Sequence, residues 1–164
     1  MADIVPPAER SRMMSGIKAK NSRPEVLVRR LLHSAGYRFR LHHRGLPGTP
    51  DIVMPGRRIA IFVHGCFWHM HEGCRLSKQP STRAEFWSAK LLANTVRDKI
   101  AIEKLNADGW RVLCVWECAT RSSNAMDTLI PSIESWMNSD AMFGEISCNL
   151  QTIALSPSTG RKSP

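Results

Sequence analysis

Residues 58 to 63 read Arg-Ile-Ala-Ile-Phe-Val, the longest apolar run in the chain. A short run without polar alternation suits a strand covered on both faces, and it is far too short to span a bilayer. Such a strand needs other elements on either side, and the flanking sequence offers them. NSRPEVLVRRLLHSAGY, residues 21 to 37, reads as a helix: Asn21 or Ser22 can cap it, Pro24 fits the first turn and Gly36 can end it. Val28, Leu31, Leu32 and Ala35 recur at the spacing of one buried face. From Glu85 to Asp108 a second helical pattern carries Phe86, Ala89, Ala93, Val96, Ile100 and Ala107 as an apolar stripe, with Gly109 as its stop. A shorter helix is expected through Leu129, Ile133, Trp136 and Met137, with Pro131 near its start. Further strands are expected at Tyr37–His42, where apolar and polar residues alternate, at Asp51–Met54 and at Trp110–Trp116. The order helix, strand, strand, strand, helix, strand, helix predicts one α/β domain with helices on a mixed central sheet.

The domain is expected over residues 23 to 148. Residues 1 to 22 form a basic arm, and residues 149 to 164, rich in Ser, Pro, Lys and Gly, read as a loose tail. The N-terminus carries acidic and proline residues where a signal peptide would have an apolar core, so a cytoplasmic, nucleoid-associated protein is expected, with no membrane segment. Lys and Arg outnumber Asp and Glu by 23 to 14, a formal net charge of +9. That balance favours a polyanionic partner, because each cation that neutralises a phosphate releases a counterion.

Residues 64 to 74, HGCFWHMHEGC, concentrate the chemistry. Cys66, His71 and Cys74 make a C-x4-H-x2-C pattern, three candidate ligands for a tetrahedral zinc ion. The fourth must come from elsewhere, and Cys118, just beyond the strand ending at Trp116, is the best donor. Cys114 reads as a small buried hydrophobe and Cys148 as incidental. Four protein ligands would make the zinc structural. His69 and His71 compete for the histidine position, and spacing does not separate them. The other of the pair and His64 would lie near a strand end, with Asp51 opening the neighbouring strand. A carboxylate, a backbone carbonyl on the next strand and nearby imidazoles could hold Mg²⁺ and deprotonate a water, a workable site for phosphodiester hydrolysis. Asp51 could equally be a carboxylate ending a turn, and Glu25 a first-turn partner of the helix dipole. Phe67 and Trp68 beside these groups suggest an exposed loop able to unstack bases, and Trp87 could join them.

PGTPDIVM, IFVHGCFWHMHEGC, FWSAKLLANTVRD and VLCVWECA, in that order, closely resemble the very short patch repair DNA mismatch endonucleases, the Vsr family, over about Arg10 to Ala119. The resemblance implies a fold like that of type II restriction endonucleases. It implies a Mg²⁺-dependent nick in one strand of duplex DNA beside the thymine of a T·G mismatch, the lesion left by deaminated 5-methylcytosine. It implies Asp51 and the Val63 main-chain carbonyl as Mg²⁺ ligands, His69 as general base, and His64 and Glu25 as assisting groups. It assigns zinc to Cys66, His71, Cys74 and Cys118. It places Phe67, Trp68 and Trp87 as a wedge beside the mismatch, Met14 on the arm in the minor groove, and Lys90 and Asn94 near the mismatched bases. Two positions depart from the family pattern. Val63 stands where Thr is frequent, which is immaterial to a main-chain ligand. Glu72-Gly73 makes the His71–Cys74 spacing one residue longer than in a well-known member, and Gly73 could absorb the difference in a turn.

One asymmetric mismatch requires one active site, so a monomer suffices, with mismatch-repair proteins as possible helpers. A zinc-stabilised DNA-binding module without catalysis, and a nuclease of the same fold acting on other DNA, are the competing readings. A thiol enzyme is disfavoured because no CxxC pair is present.

Overall fold

The computed structural model describes residues 20–148. The arm before Lys20, with Met14, and the tail from residue 149 lie outside the described residues. Helix α1 spans Arg23–Ser34. Strands β1 (Arg40–Leu41), β2 (Ile52–Met54) and β3 (Ile59–His64) follow, then helix α2 (Ala84–Ala107), strand β4 (Arg111–Trp116), the short helix α3 (Glu117–Thr120), helix α4 (Ala125–Met137) and strand β5 (Phe143–Ile146). The five strands form one sheet in the order β1-β2-β3-β4-β5. The first three pair antiparallel, and β3/β4 and β4/β5 pair parallel. The mixed sheet flanked by helices is the expected architecture. Among the described residues no helix is long and apolar enough to cross a membrane.

Burial along β3 is nearly continuous, as its composition requires. Ile59 and Ile61 pack with Leu113 and Val115 of β4 against Val28 and Leu32 of α1 and Leu129, Ile133 and Trp136 of α4. Ala60 and Phe62 pack on the other face with Val112, Cys114 and Leu105 of α2. Arg111 ties β4 to the end of α4. Its guanidinium donates to the carbonyls of Trp136, Met137, Ser139 and Ala141 and lies 4.4 Å from the Trp136 ring centre.

Three local expectations are corrected, and one strand is added. The strand expected over Tyr37–His42 shrinks to Arg40–Leu41, an exposed edge, and His42 ends it with a φ of 47°. Ala35 is an exposed C-cap of α1 rather than part of its buried face. Pro131 lies inside α4 rather than near its start. Strand β5 has no counterpart among the expected elements; it is a strand because β4 offers it a parallel partner, Val112 to Val115 against Phe143 to Ile146.

The largest correction concerns α2. Phe86, Ala89, Ala93, Val96, Ile100 and Ala107 are all exposed, and the buried residues are Trp87, Leu91, Ala101 and Leu105. The line 87, 91, 94, 98, 101, 105 keeps the spacing of one helix face, but Asn94 and Asp98 occupy its middle. Two polar residues break the apolar line where α2 passes the candidate site.

Candidate active site and metal centre

The register brings the site together. β3 and β4 are parallel with His64 opposite Trp116, so the loop after His64 and the chain after Trp116 leave the sheet at the same edge. Cys118 thereby reaches Cys66. Antiparallel pairing of Leu41 with Ile52 sets His42 beside Asp51, and the His42 N–H donates to the Asp51 carbonyl at 3.1 Å. Pairing of Ile52 with Ile61 carries Asp51 to the end of β3, where its Oδ2 accepts the Val63 N–H at 2.8 Å.

Among the described residues, three clusters of ionisable groups result. In the first, the donor atoms of Cys66, His71, Cys74 and Cys118 lie within 4.8 Å of one another. His71 Nδ1 is 3.4 Å from Cys66 Sγ and 3.5 Å from Cys118 Sγ. A zinc ion with ordinary bond lengths sets its nitrogen and sulfur ligands about 3.6 Å apart, so this donor set fits one. The His71 ring is held parallel to Trp116 at 4.1 Å. The backbone N–H groups of Cys118 and Cys148 point at Cys66 Sγ and Cys118 Sγ. Burial pushes the Cys66 thiol far up and the Cys118 thiol up to about 11. Such crowded thiols lose their protons readily only to a bound cation. Gly73 has a φ of 71°, so the turn that takes up the extra residue uses a conformation costly for other residues. Cys148 is not incidental to this cluster, since its N–H reaches Cys118.

The second cluster is His64, His69 and Asp98. His69 Nδ1 lies 2.5 Å from Asp98 Oδ2. A proton held there leaves Nε2 with its lone pair as the ring's free base. The His64 ring stacks on His69 at 3.9 Å and 6°. His64 is 5% exposed, and burial lowers its pKa to about 3, so it is neutral at physiological pH. His64, His69 and Asp98 are among the residues that line a cavity of about 1300 Å³, so water can reach the dyad. The structure thus separates the two histidines that spacing left open: His71 joins the cysteines, and His69 pairs with Asp98.

The third cluster is Glu25, His42 and Asp51. Glu25 is 2% exposed. Its Oε2 accepts the Asn21 N–H at 2.9 Å while its own N–H donates to Ser22 Oγ, a relative of the capping box in which the carboxylate reaches the residue before the N-cap. Its Oε1 meets His42 Nε2 at 2.5 Å and Arg29 Nη1 at 3.4 Å. Glu25 therefore caps the helix and at the same time stands beside His42 and Asp51. Burial raises Asp51 to about 6, opposed by the Val63 N–H, assisted by the charge of Glu25 and countered by His42 and His69.

Phe67, Trp68 and Trp87 gather beside these groups, with ring centres 5.1 to 6.0 Å apart. The expectation of an exposed loop is corrected: Phe67 and Trp68 are half-buried and Trp87 is 9% exposed, because the three rings cover one another. Lys90 Nζ stands 5.7 Å from both indoles, and Asn94 donates to the Trp68 carbonyl at 3.1 Å.

Sequence reasoning missed Asp98, His42 and Glu117, whose Oε2 accepts the Cys66 N–H at 3.3 Å. Asp98 had a usable signal, a carboxylate in line with Trp87, Leu91 and Ala101 on one helix face. His42 and Glu117 had none, since each reaches its partner through strand register.

A half-buried carboxylate bonded to the end of β3 and a His–Asp dyad between the loop after β3 and α2, beside a basic aromatic patch, define a hydrolase site of the nuclease kind. The family model for "DNA mismatch endonuclease Vsr" matches residues 2–75. The chain is 50% identical over 133 residues to the "Type II nicking enzyme V.XorIIP" of Xanthomonas oryzae pv. oryzae, covering 81% of this chain and 97% of that protein. It is 40% identical over 148 residues to the "DNA mismatch endonuclease Vsr" of Escherichia coli, covering 89% and 94%, and 37% identical over 122 residues to the "Type II nicking enzyme V.NmeAIP" of Neisseria meningitidis, covering 74% and 86%. The chain belongs to the Vsr endonuclease family.

Proposed function

We propose that this protein is a Mg²⁺-dependent, strand-specific endonuclease. It nicks duplex DNA next to the T of a T·G mismatch and so begins very short patch repair. It works in the cytoplasm on nucleoid DNA, as a monomer, on a restriction-endonuclease-like framework. The single observation that carries the reading is the convergence of Asp51 with the His69–Asp98 pair at the end of β3.

Asp51 and the Val63 main-chain oxygen would hold Mg²⁺, which when bound stabilises charge on the phosphate oxygens. The half-buried Asp51 carboxyl suits that task, because its surroundings disfavour its charge and a bound cation would offset it. His69 Nε2 takes the proton of the attacking water while Asp98 holds the Nδ1 proton and fixes the ring. His64, kept neutral by burial, packs flat against His69 and stops it turning. Glu25 completes the anionic pocket. Cys66, His71, Cys74 and Cys118 would hold Zn²⁺ as a structural ion, anchoring the loop that carries both His69 and the aromatic pair.

Phe67, Trp68 and Trp87 enter the base stack beside the mismatch. Unstacking costs a few kcal/mol per step and least at a mismatch, so the wedge also selects substrate. Lys90 and Asn94 stand where they meet the mismatched region, and Met14 on the arm would approach from the minor groove.

The test uses purified protein, Mg²⁺ and two end-labelled duplexes, one with a single T·G pair in a methyltransferase-type site and one with T·A there. A nick in the T strand of the mismatched duplex alone is expected. Equal cutting of both would show a general nuclease, and tight mismatch binding without cutting would show a binding module.

A further inference from the structure

His42 has no part in the reaction as written above, yet its imidazole sits between the two carboxylates of the third cluster. Its position is built rather than incidental. The β1/β2 register sets it opposite Asp51, its own N–H is committed to the Asp51 carbonyl, and its φ of 47° ends the strand there. Each carboxylate is anchored through one oxygen by a backbone N–H, Asn21 to Glu25 Oε2 and Val63 to Asp51 Oδ2. Glu25 Oε1 is left to His42 and Arg29, and one atom from each of Glu25, His42 and Asp51 lies within 4.8 Å of the others. Ligands of a divalent ion with bonds near 2.1–2.2 Å stand about 3 Å apart when adjacent and about 4.3 Å apart when opposite, so three donors at this spacing need little movement to close on one ion.

We propose that His42 is a nitrogen ligand of the divalent cation at Asp51, with Glu25 as a further carboxylate ligand, so that the site takes Mn²⁺ in preference to Mg²⁺. The inference rests on the reading of Asp51 as a cation ligand. Two carboxylates converge with an imidazole nitrogen, with Arg29 at the rim, around a glutamate that is 2% exposed. A divalent ion would offset the charge of both carboxylates. Mg²⁺ favours all-oxygen surroundings and keeps several waters, whereas imidazole suits the first-row transition ions. A histidine here therefore tilts selection between ions that an all-oxygen site would treat more evenly.

The experiment uses zinc-replete, full-length protein without DNA. Mn²⁺ binding is titrated by electron paramagnetic resonance, and ¹⁴N coupling to the bound ion is read by electron spin-echo envelope modulation. Nitrogen coupling is expected in the wild type and not in His42→Gln, with Mn²⁺ binding weakened at least tenfold and Mg²⁺ binding, read by competition, weakened less than threefold. Circular dichroism and zinc content establish that the variant is folded, and the wild-type spectrum stands without any variant. Bound Mn²⁺ with no nitrogen coupling, coupling that persists in His42→Gln, or no Mn²⁺ binding at all would each overturn the inference. Nicking of the T·G duplex is scored separately. Nicking in Mg²⁺ without nitrogen coupling defeats this inference alone, and nitrogen coupling without nicking defeats the proposed function alone.

Discussion

Substituting Asp51→Asn is expected to stabilise the cation-free protein at neutral pH while removing its response to added metal. The Asp51 carboxyl rises from an ordinary 3.8 to about 6, chiefly because burial disfavours its charge. A gap of that size corresponds to about 3 kcal/mol between the two protonation states. Because the folded pKa is the higher one, the favourable contribution of this group is complete below about 4 and is lost as pH rises through about 6. Asn keeps the carbonyl that accepts the Val63 N–H and carries no charge, so it escapes that loss. The variant should gain about 2–3 kcal/mol over the wild type at pH 8, a rise in melting temperature on the order of 5–10 °C for a domain of this size. His64 acts in the opposite direction. Its pKa is lowered to about 3, so its contribution is present above about 6.5 and lost as pH falls. The difference between wild type and Asp51→Asn cancels it. The assay is urea unfolding from pH 4 to 8 on protein dialysed free of Mg²⁺, with no chelator that would strip zinc. Mg²⁺ should then raise the wild type and leave the variant unmoved. Parallel pH curves for the two proteins, or a variant less stable at pH 8, would refute a strained, cation-seeking carboxylate at this position.

Three further outcomes are expected. Cys118→Ser should reduce bound zinc and lower the melting temperature, read by elemental analysis and calorimetry; unchanged zinc would put the fourth ligand elsewhere. Asp98→Asn should slow nicking by about 10²–10⁴-fold, the usual scale for losing aligned proton transfer, while T·G binding by gel shift changes little; full nicking would remove Asp98 from the site. Gly144→Ala should destabilise the fold by about 1–3 kcal/mol in urea, because a Cβ there would stand 2.4 Å from Trp136 Cδ1; an unchanged midpoint would mean that α4 does not press on β5 as described.

The sheet's centre was legible because its strands advertise themselves. Arg58–Val63 and Trp110–Trp116 are apolar runs with no competing helical period, and both lie within a residue of the observed strands. The edges were not legible. β1 is short and exposed on both residues, and β5, Phe-Gly-Glu-Ile, becomes a strand only by pairing with β4. Nothing local distinguishes such segments from loop, because their hydrogen bonds come from residues distant in sequence.

The apolar stripe of α2, the helix that positions the site, points to the wrong face for a reason that is itself informative. The apolar period of α2 is strongest along Phe86, Val96 and Ile100, which face solvent. Its inner face gives up two of six positions to Asn94 and Asp98, which hold Trp68 and His69. A helix evolved only for packing would put apolar residues at both, so a local rule broken in mid-helix marks function. The same logic explains which histidines could be sorted. His69 and His71 differ by two residues in one loop, and no spacing rule separates them. Their partners do, Asp98 from α2 for one and Cys66 and Cys118 for the other. The cysteines cluster strongly enough in sequence to announce a metal site, whereas the dyad depends on a carboxylate 29 residues away, camouflaged among helix-forming residues. Asp98 and His42 therefore carry the largest share of what the fold adds to the chemistry, and their substitution separates a site read from motifs from a site built by register.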